Sequence, residues 1–289
     1  MISVSKSTDL VTTKDARLAG FVSQSEEKIA KSRSYKLAID RALLKLRPGI
    51  TLDDIFSDKD LKNYFLGASC LSAKSLMHFS EIEQKNLVSE VVDLSRISDS
   101  KYRDELTSRC YLTAGDSLGG SMRNYVGQSA QKKFTDAVIA GIKANGDSSL
   151  LETNSSGKIT AIEWASYRMI FDKKPKFINK SIDFVVHLKS TTIEDPLGYR
   201  SCGELKGGID PAGADEHWKT AKSALDRIRT VFVDKGLTPP GLYFVAGAIE
   251  TSMSEEIYSH LQSGYLTATA NLNNKAQLSE LVNLLTGMH

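Results

Sequence analysis

Ser201-Cys202-Gly203-Glu204-Leu205-Lys206-Gly207-Gly208-Ile209-Asp210-Pro211-Ala212-Gly213-Ala214-Asp215-Glu216-His217-Trp218-Lys219 begins as a strand and ends as a helix. Side chains alternate faces along a strand, so Glu204 and Lys206 point one way and Leu205 the other. A carboxylate beside an ammonium on one strand face can hold a divalent cation and a water at a phosphodiester. Gly207 and Gly208 let the backbone turn and come close to a ligand. Asp210-Pro211 reads as an N-cap followed by proline at the first helical position. Glu-x-Lys is also a common surface pair in front of a helix, so its meaning rests on its surroundings.

Downstream, a helix is expected from Ala214 to about Lys235, with Trp218, Ala221, Leu225, Ile228 and Phe232 as its apolar stripe. His217, Lys219, Lys222 and Arg229 lie off that stripe. Leu242 to Ile249 reads as a buried strand, Ser254 to Gln262 as a short helix, Leu266 to Leu272 as an edge strand and Gln277 to Leu285 as a closing helix. Upstream, Ser181 to Leu188 is apolar enough for a central strand. Asp183 interrupts it, and a carboxylate there needs a cation, a donor or a solvent opening. Lys158 to Asp172 reads as one strand, ambiguous with helix over Ile162 to Arg168.

Ala114 to Gln128 is rich in glycine and suggests a turn feeding a helix that continues through Ala130, Phe134, Val138 and Ile142. It lacks the Gly-Lys-Ser/Thr of a phosphate loop, so no nucleotide cofactor is expected. Two readings stand: a helix N-terminus packed against a neighbour, or backbone N–H groups with Arg123 and Asn124 at a DNA backbone or base edge. Residues 1–112 look helical, with a capping box at Ser80-Glu81-Ile82-Glu83. The expected division is an N-terminal helical region, 1–112, and a catalytic domain, 113–289.

The 289 residues include 41% hydrophobic and 25% charged side chains, ordinary for a globular protein. No apolar run approaches the ~20 residues of a membrane span, and the N-terminus lacks the apolar core of a secretory signal. Three widely spaced cysteines fit a reducing cytoplasm and give no zinc-ligand spacing. A net charge of +2 neither demands nor excludes a nucleic-acid partner.

Asp183 followed by Glu204-Leu205-Lys206 resembles the split PD-(D/E)xK nuclease signature. The longer run from Gly203 to Lys219, with Gly115 to Asn124, resembles type II restriction endonucleases of the AvaI, BsoBI and XcyI kind. The resemblance covers about Gly115 to Lys235 with gaps. It implies an α/β (α+β) fold, with a mixed central sheet flanked by helices. It also implies a prokaryotic, Mg²⁺-dependent enzyme that cuts double-stranded DNA at a short palindrome as a homodimer. Asp183 and Glu204 match the metal-binding acids, with the Leu205 backbone carbonyl as a further oxygen donor, and Lys206 matches the catalytic lysine. No proline precedes Asp183, and Glu163 is the reserve acid. His217 matches a histidine that helps activate water; its alternative is a helix-start histidine bonded to Asp215 or a carbonyl. Asp210, Arg123 and Asn124 are candidates for base contacts and Lys219 for a phosphate. The competing readings are a structure- or end-specific repair nuclease of the same fold and an inactive DNA-binding protein. Intact Asp183, Glu204 and Lys206 argue against the last.

Overall fold

Period-two alternation across the second half of the chain builds one seven-stranded sheet in the computed structural model, which describes residues 2–287. Its strands are β1 (Leu150–Thr153), β2 (Ile159–Trp164), β3 (Tyr167–Lys173), β4 (Ile182–Leu188), β5 (Tyr199–Lys206), β6 (Gly241–Ala246) and β7 (Ala268–Asn271). They lie side by side in chain order. β1 to β5 are antiparallel, and β5–β6 and β6–β7 are parallel. The parallel pairs need helical crossovers. The helices are α1 (Lys14–Lys45), α2 (Leu52–Ser57), α3 (Lys59–Ala68), α4 (Ala73–Leu76), α5 (Glu81–Val91), α6 (Ser100–Ala144), α7 (Ala214–Asp234), α8 (Thr251–Gln262) and α9 (Lys275–Thr286). The protein is thus mixed α/β with a helical N-terminal region.

Two compact units divide the chain: residues 1–21 with 125–289, and residues 22–124. The division falls inside α1 and α6, not at residue 112. In the first unit, Trp218, Ala221, Leu225, Ile228 and Phe232 of α7 and Met253 and Ile257 of α8 cover one sheet face, meeting Val185, Cys202, Leu242 and Phe244. Ala130, Phe134, Val138 and Ile142 of α6, with Leu281, Val282 and Leu285 of α9, cover the other. Each fully buried Leu, Ile or Phe in these layers stabilises the fold by about 1.5–3 kcal/mol. Residues 1–21 belong here because Thr12 is tied down in the core. Its N–H donates to the Ile249 carbonyl (2.9 Å), and its hydroxyl accepts from Asn271 Nδ2 (2.7 Å) and donates to the Gly247 carbonyl (3.1 Å).

In the second unit Ile39, Ile55, Leu61, Phe65, Val88, Leu106 and Cys110 form a separate core. The expected capping box at Ser80 is present, with the Ser80 N–H donating to Glu83 Oε2 at 2.7 Å.

Two expectations about these elements change. The glycine-rich stretch 114–128 is the interior of α6, not a turn and a helix start. Each glycine costs a helix about 1 kcal/mol relative to alanine. The helix persists because Tyr102, Leu106 and Cys110 are anchored in one core, and Ala130, Phe134 and Val138 in the other. Residues 158–172 form two strands, joined by a tight turn in which Trp164 pairs with Tyr167 and Ala165 takes φ 39°. No glycine or proline marks that turn. β1, exposed along its whole length, was not foreseen because it carries no core-facing pattern. No described helix is long and apolar enough to cross a membrane.

Candidate active site

The register of β4 against β5 assembles the site. Phe184 pairs with Gly203, and the ladder stops there. One step further, Asp183 stands opposite Glu204, on the face that carries Val185 and Cys202. The Asp183 carboxylate replaces the missing ladder bond by accepting the Leu205 N–H at 2.8 Å. A residue's N–H and C=O point to the same side of a strand. The Leu205 carbonyl therefore also faces the β4 side, beside the carboxylates. Lys206, two residues on from Glu204 and on the same face, places Nζ 3.0 Å from Asp183 Oδ2 and 2.6 Å from Glu204 Oε2. The structure thus brings together Asp183, Glu204, Leu205 and Lys206.

Glu204 is 3% exposed. Burial and the adjacent Asp183 charge push its carboxyl up to about 7, although Lys206 pulls it down. Burial alone would lower the Lys206 pKa, but the two carboxylates outweigh it and the net shift is upward. The cluster is an electron-rich pocket in which one ammonium bridges two acids. Its oxygens are the hard donors that Mg²⁺ prefers. Among the described residues no three His, Cys, Asp or Glu side chains group as metal ligands. A cation here would have the two carboxylates as its side-chain ligands, and waters or a backbone oxygen would complete its shell.

Glu163 is elsewhere. It sits on β2 in register with Arg168 and His187, and pairs with Arg168 at 2.7 Å. His187 is four residues along β4 from Asp183, roughly 13 Å at ~3.3 Å per residue. The reserve acid is thus not in the cluster.

Gly207 and Gly208 serve a different purpose from the expected turn, since neither has positive φ. A Cβ at 207 would lie 2.6 Å from the Ala130 Cβ and 2.7 Å from the Val126 carbonyl, so glycine lets the strand end press on α6. A Cβ at 208 would lie 3.1 Å from His217 Nε2, which puts the imidazole over the backbone just past Lys206. His217 makes no hydrogen bond to Asp215 or a carbonyl among the described residues. Asp210 is the expected cap: its carboxylate accepts the Ala212 N–H at 3.0 Å, ahead of a 3-10 turn, Pro211–Gly213. Lys219 is exposed and paired with Asp215 at 2.5 Å. Arg123 and Asn124 are exposed on α6 in the other compact unit. Their backbone N–H groups lie mid-helix and are consumed by it, so only their side chains could meet DNA.

One buttress had no sequence signal. The Gly247 N–H donates to the Lys206 carbonyl at 2.7 Å, and the Gly247 carbonyl accepts from Thr12 Oγ1 and from Asn273 Nδ2. Thr12, more than 190 positions from Lys206 in the chain, thus helps to hold the strand end in place through Gly247.

A mixed sheet that gathers two acids and a lysine at neighbouring strand ends, before two glycines and a helix, is consistent with a restriction endonuclease fold. The sequence model of the family described as restriction endonuclease BsobI matches residues 2–166 and 169–288. The chain is 35% identical to the type II restriction enzyme BsoBI of Geobacillus stearothermophilus, over 94% of this chain and 93% of that enzyme. It is 33% identical to the type II restriction enzyme AvaI of a Nostoc species and to AvaI of Anabaena variabilis, over 94% of each chain. The chain belongs to the BsobI restriction endonuclease family. It is a type II restriction enzyme, a site-specific deoxyribonuclease.

Proposed function

We propose that the protein cuts both strands of DNA at a short palindrome, as a homodimer, using Mg²⁺ held by Asp183, Glu204 and the Leu205 carbonyl. The observation that carries this reading is the Asp183–Lys206–Glu204 cluster at the splayed ends of β4 and β5. The cation, when bound, would polarise the scissile phosphate and lower the pKa of a water. Lys206 then orients the attacking water and stabilises charge developing on the phosphorane oxygens. His217, above Gly208, assists in removing the water proton. Asp210, Arg123 and Asn124 read base edges, and Lys219 exchanges Asp215 for a phosphate. The N-terminal helices supply extra grip or dimer contacts, since the cluster does not involve them. Free thiols at Cys70, Cys110 and Cys202 support action in a prokaryotic cytoplasm.

Incubation of plasmid DNA with the protein and Mg²⁺ is expected to give discrete bands whose ends map to one two-fold symmetric sequence. Sedimentation is expected to show a species of twice 31.7 kDa. A smear, or trimming from ends, would replace this reading with that of a repair nuclease.

A smaller effect separates two roles for Asp210. Asparagine caps a helix about as well as aspartate, so Asp210→Asn should leave the melting temperature unchanged. If Asp210 also accepts a hydrogen bond from a cytosine amino group, the variant loses ~1–3 kcal/mol of discrimination at one symmetric pair of positions. Competition binding against singly substituted sites measures it; unchanged preferences at every position would leave Asp210 as a cap alone.

A further inference from the structure

The connection between β3 and β4 carries Lys174, Lys176 and Lys180, with Lys173 at the end of β3, and no acid occurs from 173 to 182. All four lysines are exposed. Among the described residues none has a carboxylate partner, unlike Lys132, Lys158, Lys206, Lys219 and Lys222 of the same unit. Lys133, Lys143, Lys189, Lys235 and Lys275 share that lack, but they are scattered, whereas residues 173–180 gather four such lysines in one short segment. The nearby acids are engaged otherwise. Asp172 pairs with Lys158, and Glu194 accepts the Lys176 backbone N–H at 2.9 Å.

The loop is built rather than slack. Pro175 and Ile178 are buried. Phe177 packs edge-on against Tyr199 and Phe232, with ring centroids 5.4 and 5.8 Å apart. The Ile178 and Asn179 N–H groups both donate to the Pro175 carbonyl. Apolar residues therefore pin the segment to the core while the lysines stay at the surface. Such an arrangement lowers the entropy lost when the ammonium groups meet a ligand.

Its position is tied to the site. Lys173 pairs with Ile182, the residue before Asp183. Lys180 is three residues before Asp183, within about 11 Å at 3.80 Å per residue. Phosphates recur about every 3.4 Å of axis along one DNA strand. A duplex with its scissile phosphate at Asp183 and Glu204 would carry two or three more within reach of this loop.

We infer that residues 173–180 form a phosphate-binding shelf for duplex DNA beside the scissile bond, adding affinity without sequence information. The inference rests on the nuclease reading of the Asp183–Glu204–Lys206 cluster. Its test uses the full chain with Lys174→Ala, Lys176→Ala and Lys180→Ala combined. Binding is measured in chelator, from ~50 to ~200 mM salt, to a duplex carrying the mapped cleavage site and to one of scrambled sequence. Both affinities are expected to fall by the same factor. The slope of log affinity against log salt should shrink by about 2–3, near 0.9 for each lost phosphate contact. The equivalent arginine triple keeps the charges and should keep the wild-type slope. Lys235→Ala, at the far end of α7, should also leave it unchanged. Wild-type affinity and slope in the alanine triple, or a loss confined to the mapped-site duplex, would overturn the shelf. Absence of cleavage by the wild-type protein would instead remove the nuclease reading beneath it.

Discussion

Alanine in place of Lys206 is expected to slow cleavage by at least ~10²–10³-fold, the usual cost of removing one donor aimed at transition-state charge. Among the described residues the ammonium is the single positive group within 3.0 Å of both acids. Without it no side chain of the cluster offsets charge developing on the phosphorane oxygens, and that task would fall to the bound cation alone. DNA binding should change only a few-fold. Glu204, already pushed up to about 7 with the lysine present, would take up a proton more readily, which compensates much of the lost positive charge. Single-turnover cleavage alongside equilibrium binding to the mapped site separates the two effects. Equal losses in both would make Lys206 a docking residue; a wild-type rate would remove it from the chemistry.

The second large effect is a stabilisation. Glu204→Gln is expected to abolish cleavage and yet raise the stability of the metal-free protein at pH 8. The folded-state pKa of Glu204 lies above its ordinary value of 4.5, at about 7. Below pH 4.5 both folded and unfolded forms bear the proton, and the group costs nothing. As pH rises through the interval from 4.5 to 7, the unfolded chain ionises first and stability falls by about 1.4 kcal/mol per unit. Above pH 7 the full penalty is present. Glutamine stays neutral and avoids it, though Lys206 loses a charged partner, so the net gain is roughly 1–3 kcal/mol. Thermal or denaturant unfolding in chelator at pH 5 and pH 8 gives the comparison. The variant's advantage should open between those values; a variant equally stable or weaker at pH 8 would show that the buried carboxylate is not strained. Adding a divalent cation should close the gap for the wild type only, because binding to the folded state adds stability.

Much of the site was legible because its patterns are local. Glu204 and Lys206 share a face through strand alternation alone, and the Trp218 to Phe232 stripe specified α7 from Ala214 onward, as observed. Asp183 stood out as a charge inside an apolar strand. Other features had no local mark. The β2–β3 turn contains neither glycine nor proline, so two strands read as one. The lysines of residues 173–180 look like any surface charge run until Phe177 and Ile178 are seen anchoring them.

By itself, then, the amino-acid sequence determined the identity of the strands and helices around Glu204, and with the family likeness the chemistry they serve. These follow from periodicity, capping and short spacing, which act over a few residues. Tertiary structure decided that Asp183 and Lys206, 23 residues apart, meet, and that Glu163 does not join them. It decided that the glycines of 114–128 stay helical and that Gly207 presses on α6. It also tied Thr12 to Gly247 and so to the end of β5. The reason is that register and packing depend on which distant surfaces are buried together, and that choice is made by the whole core at once.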